Sequence, residues 1–169
     1  MNKTYVILET SEGEILIELF PDQAPLTVEN FLRYVDSGHY NGTLFHRVVR
    51  DFVNQGGGYD QNLKKRSTLP PVGNEADNGL SNLAGTVAMA RSQKKDSACD
   101  EFFINMSDNT FLDHQDDSDE RFGYAVFGRV ADGMDIAKKI NWKVVKSRQG
   151  FMELPVDSVV IVSARRFEM

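Results

Sequence analysis

Apolar and polar positions alternate from the first residues onward. Tyr5, Ile7 and Glu9 fall on one face of the opening segment, and Val6 and Leu8 on the other. Beyond Ser11-Glu12-Gly13, a turn signal, Ile15, Ile17 and Leu19 alternate with Glu14, Leu16 and Glu18. A period of two on both sides of a turn predicts a β-hairpin whose second strand has the clearer buried face, stopped by Pro21 and Pro25. The period then changes. Val28, Phe31, Leu32 and Val35 recur at i, i+3, i+4 and i+7, which predicts a helix over Thr27–Ser37. Thr27 is its expected N-cap, Glu29 sits in its first turn, and Gly38 ends it. Met134, Ala137 and Ile140 mark a second, shorter helix over Met134–Ile140, preceded by Gly133 and carrying Lys138 and Lys139 in its last turn.

The rest of the chain is strand-like and rich in turns. Thr43–Val49, Phe52–Gln55, Thr86–Ala90, Phe102–Asn105, Ala125–Val130 and Ser158–Phe167 are short β candidates. Gly56-Gly57-Gly58, Pro70-Pro71, Gly73 and Asp77-Asn78-Gly79 punctuate them, and Asp113–Glu120 reads as an acidic surface loop. With the hairpin these make eight strands. The expected fold is therefore mainly β, a closed eight-stranded antiparallel barrel capped by two α-helices, with an open α+β sheet as the competing arrangement. All 169 residues are expected to form a single domain.

Composition narrows the function. Lys and Arg number 19 against 25 Asp and Glu, a formal net charge of −6, which argues against general nucleic-acid binding. Cys99 is the one cysteine, so no internal disulfide is expected, and it reads as a plain small residue. The start, Met1-Asn2-Lys3, leads straight into the first strand without a signal-peptide core, and no apolar run is long enough to span a membrane. The expectation is a cytoplasmic protein, or a periplasmic one if a signal peptide has been removed. Nothing demands more than a monomer.

Familiar chemistries are missing. His39, His46 and His114 have no metal-site spacing, and Asp116-Asp117-Ser118-Asp119 lacks the glycine and glutamate of a calcium loop. The triple glycine has neither the further glycine of a dinucleotide fingerprint nor the Lys-Ser/Thr of a phosphate loop. No Gly-x-Ser-x-Gly elbow occurs, and no nucleophile–base pair stands out. No cofactor or metal is expected, and the lack of a nucleophile–base pair points to chemistry without a covalent step.

The informative run is Phe45-His46-Arg47-Val48-Val49-Arg50-Asp51-Phe52-Val53-Asn54-Gln55-Gly56-Gly57-Gly58. If Phe45–Val49 is one strand, Phe45 and Arg47 share a face, with His46 and Val48 opposite. Arg47 then lies beside Phe52 and Gln55 after the Arg50-Asp51 turn, which sets a guanidinium and an amide next to aromatic surface. Taken alone, an arginine among apolar residues is usually a snorkelling surface residue, and Phe52, Phe103 and Leu112 would be ordinary core.

The pattern FHRV…F..QGG resembles the cyclophilins. The resemblance continues through Asn74-Glu75, Gly85–Ala90, Glu101–Asn105, Phe111-Leu112-Asp113 and Phe122–Gly128, and it spans Val6 to Val162. It is closest to the bacterial branch, which has Phe and Tyr where animal members carry Trp and His. It implies peptidyl-prolyl cis/trans isomerisation of protein substrates, assisting their folding, with proline-containing peptides as partners. It implies that Arg47 is the catalytic arginine. Phe52, Val53, Phe103 and Leu112 match the walls of a proline pocket, with Met89, Phe111 and Tyr124 around it. Gln55 matches a glutamine that helps hold the peptide carbonyl and the arginine. Ala90 and Arg91 match the peptide-binding edge, where the backbone of Arg91 acts and its side chain need not matter. Two other classes compete with this reading. A module that only grips proline segments would not need Arg47, and a lipocalin-like barrel would have a hollow interior.

Five positions depart from the family pattern. Arg50-Asp51 replaces a Pro-Gly turn, and Val53 replaces a common methionine. Glu101 stands where glutamine is usual. It is expected to add negative charge at the groove, pair with Arg47 or Arg91, and weaken binding of acidic peptides. Phe111 replaces a tryptophan that contacts cyclosporin in the family, so weak cyclosporin binding is expected.

Overall fold

The computed structural model describes residues 3–168. Its first two strands are the expected hairpin. β1 (Thr4–Thr10) and β2 (Gly13–Leu19) pair antiparallel, with Val6 opposite Ile17 and Leu8 opposite Ile15, and all four side chains are fully buried. Pro25 does not belong to the end of this hairpin. It opens α1 (Pro25–Asp36), at a position where a missing N–H costs nothing. Thr27 therefore lies inside the first turn and is not the N-cap. Its N–H and hydroxyl both donate to Glu75 Oε1, at 2.7 and 2.6 Å. A carboxylate from a distant loop thus does the capping, which also suits the positive end of the helix.

The remaining strands are β3 (Thr43–Leu44), β4 (Arg47–Val49), β5 (Val53–Gly56), β6 (Thr86–Met89), β7 (Phe102–Asn105), β8 (Val126–Asp132), β9 (Val145–Arg148), β10 (Phe151–Pro155) and β11 (Val160–Glu168). Among the described residues, nine strands form one antiparallel sheet in the order β3-β11-β1-β2-β8-β6-β7-β5-β4, and β9 and β10 form a separate hairpin. The class is the expected one, but the strand count is not eight. The stretch expected as a single strand, Thr43–Val49, is two. The β9–β10 hairpin had no periodic signal, because Lys146, Ser147, Arg148 and Met152 are all exposed.

The two edge strands of the sheet are consecutive in the chain, separated by Phe45-His46 alone. The sheet therefore curls until the end of β3 at Leu44 and the start of β4 at Arg47 lie within about 11 Å, the reach of three peptide units. Its edges are joined by the chain itself, not by a ladder. At the join, Phe45 N donates to Val159 O at 3.0 Å and Gly57 N to Leu44 O at 3.2 Å. The backbones pass so closely that a Cβ on Gly56 would stand 2.6 Å from Leu44 O.

This break overturns the expected facing of the motif. Phe45 and Val48 both enter the core, whereas Arg47 points outward. His46 is buried against Tyr59 and Phe151 of β10. The interior is packed with side chains. Phe31 of α1 meets Phe127, Tyr40 and Phe102 with ring centroids 5.0, 5.3 and 5.5 Å apart. The second helix, α2 (Met134–Asn141), packs against β2, β4 and β5 through Ala137 and Ile140.

Candidate active site

Alternation along three strands builds the site. In β5, Asn54 turns inward, while Val53 and Gln55 turn outward. In β7, Phe102 and Ile104 belong to the core and Phe103 faces out. In β6, Val87 and Met89 face the core, and Ala88 faces out with Ala90 just beyond. The outward side chains form a second apolar cluster of Val53, Ala88, Phe103 and Val126, flanked by half-buried Phe52, Ala90, Leu112 and Tyr124. Over it opens a cavity of about 240 Å³ lined by Arg47, Phe52, Val53, Gln55, Ala90, Arg91, Phe103, Leu112 and Tyr124.

Nine of the twelve residues expected at the site thus meet in one cavity. The other three are placed differently. Met89 is buried on the inner face of β6, because a period of two puts it opposite Ala88 and Ala90. Phe111 is 64% exposed and stacks on Phe52, with centroids 5.7 Å apart and planes 19° from parallel, so it extends the rim and not the wall. Glu101 pairs with neither arginine. It lies behind Gln55, 3.0 Å from His46 Nε2, and accepts a hydrogen bond from Gln55 Nε2 at 3.1 Å.

Arg47 stands opposite Gln55 in the β4–β5 ladder, and Gln55 opposite Phe103 in the β5–β7 ladder. Arg47 Nη1 donates to Gln55 Oε1 at a long 3.4 Å, and Nε is 3.5 Å from Glu153 Oε2 of β10. Its Cζ is 5.7 Å from the centroid of the Phe52 ring. Both members of the Arg47–Glu153 pair are about two-fifths exposed (42% and 38%), so the tether is weak. Arg91 is engaged otherwise. Nε, Nη1 and Nη2 donate to the carbonyls of Gly123, Ser92 and Asp119 at 3.0, 3.0 and 2.8 Å, and Cζ lies 4.9 Å from the Tyr124 ring centroid. Its side chain, expected to be dispensable, ties two loops together along the pocket rim.

The Arg50-Asp51 turn keeps its shape. Phe52 N donates to Val49 O at 3.0 Å, and Asp51 takes a left-handed φ of 60° where the family has glycine. Burial pushes the Glu101 carboxyl upward. The hydrogen bonds from His46 and Gln55 outweigh this and hold it below the ordinary glutamate value.

Two features carried no signal in the sequence. One is a set of buried asparagines. Asn109 Nδ2 donates to Phe52 O at 3.0 Å and to Asn105 Oδ1 at 2.9 Å, and Asn105 Nδ2 donates to Asn82 Oδ1 at 2.9 Å. Their amides satisfy loop backbone beneath the pocket, whereas asparagine in a sequence ordinarily marks a turn. The other is Glu153, which reaches Arg47 from a hairpin that periodicity did not reveal.

Residues 5–166 match the family model "Cyclophilin type peptidyl-prolyl cis-trans isomerase/CLD". The chain is 50% identical over 162 residues to "Peptidyl-prolyl cis-trans isomerase A" of Dickeya dadantii, covering 96% of this chain and 84% of that one. It is 46% identical over 159 residues to "Peptidyl-prolyl cis-trans isomerase B" of Escherichia coli, covering 94% and 96%. Among solved structures, a cyclophilin from Hirschia baltica superposes with a TM-score of 0.76 at 26% identity, covering 95% of this chain and 72% of that one. A Cryptosporidium parvum cyclophilin-type isomerase, solved in the presence of the dipeptide Ala-Pro, gives 0.75 at 25%, covering 95% and 97%. The chain belongs to the cyclophilin-type peptidyl-prolyl cis-trans isomerases. Its activity is the family's, the interconversion of cis and trans X–Pro peptide bonds.

Proposed function

We propose that the isomerisation runs without a covalent intermediate and that Arg47 is its catalytic residue. The observation that carries this is an incompletely engaged guanidinium at the mouth of an apolar cavity. Rotation about an X–Pro bond breaks amide resonance and meets a barrier of about 18–20 kcal/mol. In the twisted state the prolyl nitrogen regains its lone pair and becomes a better acceptor. A guanidinium donor there stabilises that state more than the planar amide, which is the condition for catalysis. Arg suits the task because it stays charged and its donors are held in a rigid fork.

Phe52, Val53, Phe103, Leu112 and Tyr124 anchor the proline ring through apolar contact, so the other side of the bond turns. Gln55 holds the peptide carbonyl and aligns Arg47. The substrates are proline-containing segments of other proteins, in keeping with the Ala-Pro dipeptide present with the Cryptosporidium parvum relative. A millionfold acceleration needs about 8 kcal/mol, within reach of electrostatics plus positioning.

The test is exchange NMR on an Ala-Pro peptide with the intact protein and with Arg47→Ala. Fast exchange that disappears in the variant, while the peptide still shifts pocket resonances, is the expected result. Equal exchange in both would remove Arg47 from the mechanism.

A further inference from the structure

We propose that Glu101 is a positioning residue that locks the side-chain amide of Gln55 in the one orientation useful to Arg47. The proposal rests on the catalytic reading of Arg47 and deepens it. A glutamine amide has two unlike ends, an oxygen that only accepts and an NH₂ that only donates. Gln55 sits between two charged groups. Its Nε2 is 3.1 Å from Glu101 Oε1, and its Oε1 is 3.4 Å from Arg47 Nη1. An ionised carboxylate accepts only, so the NH₂ end must face Glu101. The oxygen is then left for the guanidinium, which only donates. A glutamine at position 101 would impose no such choice, since it could turn either end toward Gln55. Gln55 could then flip and set its NH₂ against the donors of Arg47.

Glu101 is itself held in place. The same Oε1 lies 3.0 Å from Nε2 of His46, a side chain only 7% exposed. His46 Nδ1 is buried with no partner among the described residues, so the pair with Glu101 is the one polar engagement of that ring among them. Because a carboxylate cannot donate, Nε2 carries the hydrogen. On the other side, a Cβ on Gly58 would stand 2.6 Å from Glu101 Cγ, so the backbone leaves just enough room for this side chain. A chain of contacts thus runs from buried His46 through Glu101 and Gln55 to Arg47. It supplies the alignment that the long Arg47–Gln55 bond cannot supply by itself.

The test is Glu101→Gln, which keeps the shape and removes the charge. Turnover of an Ala-Pro peptide and the side-chain NMR signals of Gln55 and Arg47 are measured in the same samples. The expected result is a fall in kcat of about fivefold with KM nearly unchanged, the size of one weakened charge-assisted hydrogen bond. The downfield amide proton of Gln55 should move toward the free-amide position, and the Arg47 Nε–H signal should broaden. Unmoved Gln55 signals would overturn the lock whatever happens to turnover. A moved amide with unchanged kcat would overturn its catalytic relevance. Full turnover in Arg47→Ala would instead defeat the reading of Arg47, while the Gln55 signals still decide whether Glu101 orients that amide.

Discussion

Two arginines border the same cavity, each near an aromatic ring, and they are employed in opposite ways. Arg91 commits all three nitrogens to backbone carbonyls at 2.8–3.0 Å. Among the described residues, Arg47 has one hydrogen bond of 3.4 Å and an ion pair of 3.5 Å, both at the outer edge of useful geometry. A guanidinium whose donors are consumed cannot give one to a substrate without breaking something, so Arg91 builds wall. One whose donors are half engaged can, so Arg47 is available. Availability of charge, more than its presence, separates the two.

The comparison is broken or sharpened most strongly by truncating each arginine in turn. Arg47→Ala should lower kcat/KM by about 100- to 1000-fold, the usual cost of removing a transition-state donor. Arg91→Ala should cost about threefold at most in turnover, and about 1–2 kcal/mol of stability for the lost ties between loops, read by denaturant unfolding. Similar losses of turnover in both would erase the distinction.

A smaller effect concerns the rim beside Arg47. Phe111 is largely exposed on Phe52 and has no polar donor, whereas the family's tryptophan at this position contacts cyclosporin. Titration calorimetry should find weak cyclosporin binding, and Phe111→Trp should tighten it about tenfold by adding an indole N–H and more ring surface. Nanomolar binding by the unmodified chain would show that the rim donor is dispensable.

The acid limb of stability offers a third test on the Arg47 side. The Glu101 carboxyl titrates below its ordinary value in the folded chain. A depressed folded value contributes stability that is present above the unfolded value and is lost as pH falls through the folded one. Glu101→Gln should therefore flatten the loss of unfolding free energy below about pH 4.5, the ordinary glutamate region. An unchanged acid limb would mean that the His46 and Gln55 bonds do not favour the carboxylate.

Which residues form the pocket was legible through the family motif, since local pattern taken alone makes Phe52, Phe103 and Leu112 ordinary core. The period of two explains the geometry once the strand order is known. Once Val53 and Phe103 are on outward positions of neighbouring strands, the pocket floor follows, and the family motif says which outward arginine matters. What could not be read was set by encounters between distant segments. Phe45 leaves the strand alternation because the sheet must curl back on itself there, and that close crossing is what Gly56 makes possible. Thr27 loses its capping role to Glu75, 48 residues away. Glu101 turns to His46, not to an arginine, because the β9–β10 hairpin buries that ring against Tyr59 and Phe151. Local pattern contains none of these meetings.

The smallest predicted effect lies in the turn that carries Phe52 to its place beside Arg47. Asp51 holds φ at 60°, and only its backbone is used: its N–H donates to Asn141 Oδ1 at 2.9 Å and its carbonyl accepts from Ser107 Oγ at 2.6 Å. The left-handed conformation costs an ordinary residue about 1–2 kcal/mol, and somewhat less for Asp. Glycine avoids that cost but adds about 0.4–1 kcal/mol of freedom to the unfolded chain. Relief should narrowly win, so Asp51→Gly should stabilise the protein by about 0.5 kcal/mol, or about 1–2 °C in Tm. Turnover should be unchanged, since both backbone bonds survive. If the variant is instead less stable, Asp51 is not strained, and this side of the pocket rests on a turn as relaxed as the carbonyl-tied loops around Arg91.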